Sequence, residues 1–596
     1  MANFIVVIDP DAERRFRFAE TVKPRLAFLP GLKAASCSTG DFFAAWAASE
    51  KAPVDTAVTD AGAAIIWGRA LRPGSSEKAA AAELGEAWDI PPERVPEVFD
   101  GYYAAAVYRQ AGGALIGADP LGLFPVYHYA CGEVLLVGSS PELFRFHPSF
   151  RSEFNPAGLV GILLLMHAVD GETLLRGVKR LKAGHCLYWD SRQKIKEARQ
   201  YSMPVSLRHF DLPFSSQVRL LDESLEQAVL RQTDQREAHL LLLSGGLDSR
   251  ILAGYLRDHG VATVALSLGQ RGDSEIECAA RVAACLGFEH EIREVDEDQY
   301  PRFAQLQALW EHGTTGFSTI MEWGIHALFR SSASYVVGGH LMDTITGPRL
   351  EYKQFAGPPT FGRFFRFINS YGVRAERLRK LLRPDIFGDA VDACIGRIRE
   401  IYRGYSDLEW QRSWCFKINH RARFHVGGVL WRHSFGAWPI LPAADQAVLA
   451  CAGGMPAATL AEGLAEKRLL ETRFPDLAEI PLDNFHNEPL KPRLRWLLNR
   501  HVQWTLRRWI KFGADGKNRS RGRINRLYDI NGPGWVSVRR EAEPFRKHAY
   551  EFFQKKELDA LLPAPGTPIA YEHPVIDVSG IKSVLGFLLW LKDHPC

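Results

Sequence analysis

Between His239 and Arg250 the chain reads His-Leu-Leu-Leu-Leu-Ser-Gly-Gly-Leu-Asp-Ser-Arg, and this stretch limits its folding options more than any other. Five residues, His239 to Leu243, make a short apolar run of the length expected for a strand buried on both faces of a parallel sheet. A helical pattern follows from Arg250. Between the two, Gly245 and Gly246 let backbone N–H groups turn inward with no Cβ in the way. Those groups, the hydroxyls of Ser244 and Ser249 and the positive end of the next helix form a seat for phosphate. A Gly-Gly pair alone is common at strand–turn–helix junctions for structural reasons. The strand before it, both serines and Asp248 together point to a nucleotide instead.

The run Ser-Gly-Gly-x-Asp-Ser resembles the PP-loop of ATP pyrophosphatases, and it lacks the Gly-Lys-Ser/Thr ending of a Walker loop. Such enzymes cleave ATP between the α and β phosphates and activate a carbonyl oxygen as an adenylate. The resemblance assigns ATP contacts to Leu243, Ser244, Gly245, Gly246, Asp248 and Ser249. Around the loop, helical spacing over Phe214 to Arg231 and Ile251 to Asp258, with a strand at Ala262 to Leu268, predicts a parallel crossover. The end of that strand, Ser267-Leu268, is where adenine is expected, because ligands in open α/β sheets lie at the carboxyl ends of strands.

A second stretch, Tyr335-Val-Val-Gly-Gly-His-Leu-Met-Asp-Thr-Ile-Thr-Gly347, also runs from a strand into a Gly-rich turn and an aspartate. It is similar to the Ser-Gly-Glu-Gly-Ser-Asp-Glu segment of asparagine synthetases, with Gly338, Gly339, Asp343 and Gly347 matching. His340 stands where that family has Glu and where β-lactam synthetases have Tyr. Magnesium bridging ATP phosphates is held by one or two carboxylates plus water, and Asp248 and Asp343 are the expected pair. Either acid alone could instead cap a helix. His340 is the expected base for an amine nucleophile, given a pKa near the operating pH; a turn histidine that only packs is the alternative.

At 596 residues the chain is too long for one core. Its 46% hydrophobic and 24% charged residues are ordinary for a globular protein, and a net charge of +4 does not suggest nucleic acid. Nine scattered cysteines with no Cys-x-x-Cys suggest reduced thiols in a cytoplasmic protein. No signal peptide is read at the N-terminus, and no apolar run reaches the ~18 residues of a membrane span. Leu159 to Met166, the longest such run, reads as a buried helix.

Over residues 1–205, β-like runs recur at Phe4 to Ile8, Ala63 to Trp67, Tyr102 to Tyr108, Ala114 to Gly117, Val126 to Tyr129 and Val134 to Val137. The segments from Phe99, Gly117 and Gly138 resemble the glutaminase domain of asparagine synthetases. That family uses a cysteine directly after the initiator Met; here position 2 is Ala2. Its Asn-Gly-Glu glutamine-binding motif is also missing, and Cys37 sits in what reads as a loop. The domain is therefore expected not to hydrolyse glutamine, as in β-lactam synthetases and lasso-peptide cyclases. Residues 155 to about 205 read as a connector, and His185 as a loop or packing residue.

The resemblance implies an N-terminal α+β, Ntn-hydrolase-like antiparallel sandwich (1–205). After it come an α/β synthetase domain with a parallel sheet and added helices (206–490) and a basic, mostly helical extension (491–596). Helical patterns cover Gly362 to Asn369, Ala375 to Leu381, Asp392 to Tyr402, Glu409 to His420 and Ala457 to Thr472. Arg423, Arg432 and Asp445 are candidates for the substrate pocket or for structural ion pairs. His420 and His425, five residues apart, have the wrong spacing for a metal pair on one helical face. By family resemblance Lys491 is expected to neutralise pyrophosphate, with Lys467 as the fallback. The basic, Trp-containing run from Arg493 to Lys517 reads as a solvated amphipathic helix rather than a nucleic-acid contact.

The expected function is an ATP- and Mg²⁺-dependent ligase that adenylates a carboxylate, releases AMP and pyrophosphate, and joins the acyl group to an amine. A peptide or specialised metabolite is the favoured substrate, as in lasso-type isopeptide closure, with a leader-peptide-binding protein and a leader protease as partners. Ammonia-dependent asparagine synthesis is the close rival. A tRNA-modifying PP-loop enzyme or a non-catalytic scaffold would be readings of another class.

Overall fold

The structure is a computed structural model that describes residues 3–88, 97–110, 113–190, 194–329, 333–348, 360–483, 490 and 526–594. Ala2, Lys491 and the basic run Arg493 to Lys517 lie outside the described residues.

Two six-stranded antiparallel sheets face each other in the front part of the chain. One runs in the order Lys179–Arg180, Tyr127–Cys131, Val134–Gly138, Asn3–Ile8, Phe42–Ala48, Lys33–Thr39. The other runs Lys194–Arg199, His185–Asp190, Gly113–Ala118, Asp100–Arg109, Gly62–Leu71, Val54–Thr59. Their inner faces meet through aromatic pairs: Phe4 stacks on Trp67 at 4.0 Å and Phe42 on Tyr108 at 5.1 Å. Such pairs add roughly 0.5–1.5 kcal/mol each beyond burial. This is the Ntn-like sandwich.

Three front-domain expectations change. Cys37 lies in the edge strand Lys33–Thr39, not in a loop. His185 opens the strand His185–Asp190. The stretch 155–205 is no connector, since it supplies a buried helix, Pro156–Leu165, and three strands of the sandwich. Its polar and basic strand Lys194–Arg199 sits at a sheet edge, where one side needs no apolar partner.

The third sheet has five parallel strands in the order Glu289–Arg293, Thr263–Leu268, His239–Leu242, Tyr335–Gly338, Trp438–Ile440. The helices Phe214–Gln232, Asp248–Asp258 and Ser274–Leu286 pack around it. Leu242 pairs with Gly338, so the two Gly-rich turns leave neighbouring strands at the same level. The segment expected as one helix over Ala457 to Thr472 breaks at Glu462 and Gly463, both left-handed (φ 56° and 67°), and resumes as Leu464–Arg473.

Residues 526–594 fold back on the rest. Helices Pro533–Ala542 and Ile576–Asp593 both pack on helix Tyr300–Glu311, and the latter also touches Pro156–Leu165. Among the described residues every cysteine is a free thiol, and no single helix is long and apolar enough to cross a membrane.

Candidate active site

The strand His239–Leu242 ends and Asp248 opens the next helix. Between them the two serines satisfy each other: Ser244 Oγ and Ser249 Oγ are 2.9 Å apart, and Gly246 N–H donates to Ser244 Oγ at 3.2 Å. Gly245 is required by a close approach, because a Cβ there would lie 2.5 Å from Asp483 Cβ. The buried Arg250 fixes the turn from behind: its guanidinium donates to the carbonyls of Leu477, Ile480, Pro481 and Gly245. Asp483 N–H also donates to Gly245 O at 2.8 Å. The chain that leads towards Lys491 is thereby tied to the phosphate-seat turn.

The second turn packs directly on the first. A Cβ on Gly339 would lie 2.8 Å from Asp248 Cβ and 3.0 Å from Ser249 N, so only glycine permits this approach. Leu341 takes a left-handed conformation (φ 75°) and launches the short helix Met342–Ile345 that carries Asp343. Burial and then the neighbouring Asp343 charge push the Asp248 carboxyl up to about 7.

A third acid joins them. Glu466 is buried, accepts a hydrogen bond from Thr346 Oγ1, and lies close over Gly347 and Gly463, where a Cβ would crowd its Oε2. Burial, then the charges of Asp248 and Asp343, hold its carboxyl well above the usual range. Nearby negative charge thus disfavours ionisation of Asp248 and Glu466, and a cation would offset it. Hard oxygen donors of this kind fit Mg²⁺.

Asp248 and Asp343 line a cavity of about 400 Å³ at the carboxyl ends of the parallel strands, whereas Glu466 is buried and does not line it. Of the sequence-predicted residues, Leu243, Ser244, Asp248, Ser249, Leu268, Gly339, His340 and Asp343 line it. Gly245, Gly246, Ser267 and Gly338 are not among its lining residues. Ser267 Oγ donates to Leu243 O at 2.6 Å and accepts from His290 Nε2 at 2.8 Å, so its hydroxyl braces the strand ends. Gly338 makes room for the His340 ring, whose Nδ1 a Cβ would overlap.

His340 departs from expectation in one respect. Burial, then the charge of His433, pushes its pKa down to about 4, far from neutrality. Its Nδ1 is buried without a hydrogen-bond partner.

The opposite wall was not foreseen. Helix Arg423–His433 presents His425, Val429 and His433 to the cavity at four-residue spacing, which places them on one face. It follows a π-turn at Ile418–Ala422. His433 Nε2 lies 2.8 Å from Glu322 Oε2, and both line the cavity. A carboxylate accepts from Nε2–H, so His433 Nδ1 carries the lone pair, and that nitrogen is buried with no partner. Tyr528, beyond the synthetase region, also lines the cavity.

The remaining sequence candidates are structural. Arg423 donates to the carbonyls of Gly122 and Leu181 in the front domain. Arg432 pairs with buried Glu311 at 2.7 Å. Asp445 caps the helix Gln446–Gly453 and pairs with Arg231 at 2.7 Å. Lys467 turns its ammonium to Glu462 O at 2.7 Å.

The asparagine synthase family model matches residues 220–474, and a glutamine amidotransferase domain matches residues 86–202. The chain belongs to the asparagine synthetase-like superfamily. Both acid-bearing turns and Glu466 of this superfamily member lie inside the first match. Among curated proteins, 7-cyano-7-deazaguanine synthase from Cupriavidus taiwanensis is 44% identical over 82 residues, 13% of this chain and 36% of that protein. The chain thus spans about a third of that relative's length. Among solved structures, NH3-dependent NAD synthetase from Campylobacter jejuni aligns over 32% of this chain and 94% of its own, with 16% identity and a TM-score of 0.17. NMN synthetase from Francisella tularensis aligns over 36% and 96%, with 14% identity and a TM-score of 0.19.

Proposed function

We propose that this chain is an ATP-dependent carbon–nitrogen ligase. A substrate carboxylate oxygen attacks the α-phosphorus of ATP, pyrophosphate leaves, and an amine then attacks the acyl-adenylate, releasing AMP and forming an amide. The observation that carries this reading is the contact between two Gly-rich turns on adjacent parallel strands, each delivering an aspartate to one cavity. Asp248 and Asp343, supported by Glu466, would hold Mg²⁺, which supplies positive charge against the phosphate oxygens. Ser244, Ser249 and the start of helix Asp248–Asp258 would hold the phosphates, with Leu243 and Leu268 towards the base. Lys491 would be the cation for pyrophosphate.

The attacking amine must shed a proton. His433 is suited to accept it. Glu322 orients its ring through Nε2 and leaves Nδ1 without a hydrogen-bond partner, the arrangement of a carboxylate-oriented general base once substrate reaches that nitrogen. His340 would then shape the wall or relay the proton, since its depressed pKa leaves it neutral but weakly basic.

The substrate we favour is a peptide or specialised metabolite, with an Asp or Glu side chain closed onto an N-terminal amine, assisted by a leader-binding protein and a leader protease. Glutamine would not be the nitrogen source. Position 2 is alanine, and burial pushes the Cys37 thiol up to about 11, which keeps it protonated. Substrate-dependent ATP–pyrophosphate exchange tests the ligase reading; its absence with every carboxylate offered, free aspartate included, would leave a scaffold. Product mass then separates loss of one water from a peptide from conversion of aspartate to asparagine.

A further inference from the structure

Away from the nucleotide cavity, three ligand-type side chains from distant parts of the sequence converge. Glu142 starts the 3-10 turn Glu142–Phe146 of the front domain. His312 closes helix Tyr300–Glu311 in a left-handed conformation (φ 49°). His594 closes helix Ile576–Asp593. Their exposures are 5%, 0% and 6%. His312 Nε2 lies 3.3 Å, and His594 Nε2 3.1 Å, from one and the same oxygen, Glu142 Oε2. The three ligand atoms all fall within 4.8 Å of one another. The other carboxylate oxygen, Oε1, is held by Arg145 at 3.0 Å.

The positions of the ring hydrogens determine what must lie between these groups. His594 Nδ1 is 3.2 Å from Trp590 O. A carbonyl only accepts, so Nδ1 carries the hydrogen. In the neutral ring, Nε2 then directs its lone pair at a carboxylate oxygen 3.1 Å away. Two lone pairs cannot rest against each other when buried, so a positive centre belongs between them: a second proton on the ring or a metal ion. The surroundings match those of a metal. A backbone carbonyl behind one imidazole and a guanidinium behind the carboxylate fix ring tautomer and carboxylate orientation, as outer-shell groups do around bound ions. Ligands about 2.0–2.1 Å from a tetrahedral ion stand roughly 3.3 Å apart. The observed 3.1 and 3.3 Å agree with that spacing.

We propose that Glu142, His312 and His594 form a binding site for a zinc-like divalent transition-metal ion, with two imidazole nitrogens, one carboxylate oxygen and a fourth position for water. Nitrogen donors disfavour magnesium, so the site is chemically distinct from the one at Asp248 and Asp343. Its role is structural, for it joins the front domain, the synthetase core and the last described helix at one point.

The test uses full-length protein produced in zinc-supplemented medium, and separately in cobalt-supplemented medium. Desalted protein is expected to retain stoichiometric zinc by elemental mass spectrometry. The cobalt form is expected to show the visible absorption of tetrahedral nitrogen/oxygen coordination, and a strong chelator is expected to lower the melting temperature. E142Q and H312N should lose metal affinity by at least about 10-fold, while D343N should keep it. The proposal is overturned if wild-type protein retains neither zinc nor cobalt, which would identify the bridge as a proton. It is equally overturned if the cobalt spectrum persists in E142Q and H312N. The wild-type spectrum decides the matter even where a variant fails to fold.

Discussion

Asp248 and Asp343 line one cavity, and burial and then the charge of Asp343 raise the Asp248 carboxyl pKa, although the two residues belong to separate turns after separate strands. This proximity, made possible by the missing side chain of Gly339, concentrates acidity at one end of the parallel sheet. Most of the chemistry proposed for this chain depends on it.

Removing either acid should therefore abolish adenylation without unfolding the chain. D343N changes an exposed side chain, and D248N relieves repulsion between like charges. Each is expected to lower ATP–pyrophosphate exchange by about 10²-fold or more, the scale of losing a transition-state charge partner. D248N should match or exceed the wild-type melting temperature in the absence of magnesium, as scanning calorimetry would show.

The pH dependence has a defined sign. Asp248 ionises near 3.8 when unperturbed and at about 7 in the fold. Between those values the folded chain binds more protons than the unfolded chain. Stability contributed by this group is therefore present below about pH 4 and lost as pH rises through 7. Magnesium needs the ionised form. Calorimetric titration should show Mg²⁺ affinity in the presence of a non-hydrolysable ATP analogue rising from about pH 5.5 to 7 and flattening above, and D248N should remove the slope. A flat profile in wild type would contradict the raised pKa.

His433 and His340 should separate kinetically. H433Q is expected to leave ATP–pyrophosphate exchange near wild type and to slow amide formation by roughly 10²–10⁴-fold, the usual worth of a general base. E322Q should do the same more mildly. H340A should lower turnover while leaving ATP binding intact. Equal losses of exchange and amide formation in H433Q would reassign that histidine to nucleotide binding.

Gly339→Ala should act like a wedge. Its Cβ would sit 2.8 Å from Asp248 Cβ, against backbone that cannot move aside. An overpacking cost of about 1–3 kcal/mol is expected, with adenylation lost more severely than stability. Thermal unfolding and exchange assays on the same preparation measure both.

Incubation with glutamine should release no ammonia, because neither Ala2 nor the protonated Cys37 offers a nucleophile. A coupled ammonia assay reads this directly.

What could be read from the sequence was the chemistry written in contiguous residues. The strand–glycine–acid runs at 239–249 and 335–347 carry their own turn, donor groups and charge, so each is recognisable without its neighbours. Glu466, Glu322 and Tyr528 carry no such local mark. Each is an ordinary residue of its helix or loop until tertiary packing brings Glu322 and Tyr528 to the cavity wall and Glu466 within reach of the charges of Asp248 and Asp343. His425 and His433 did leave a trace, a shared helical face with Val429, but the five-residue spacing of His420 and His425, which argues against a metal pair, does not reveal it. In the front domain the strand Phe42–Ala48 is alanine-rich and buried throughout, so it has neither β-branched residues nor alternation to betray it. The polar strands Lys33–Thr39 and Val54–Thr59 are sheet edges, where solvent replaces an apolar partner.

Tyr528 stands on the cavity wall while its backbone carbonyl receives the buried ammonium of Lys582, which also lies 4.1 Å over the Trp535 ring. The nucleotide chamber is thus braced by a segment that begins more than fifty residues past the end of the synthase match. An excised catalytic cassette ending at residue 490 would be missing a panel of its own chamber. Recombination that transplanted the synthetase unit alone would carry its motifs without their full enclosure.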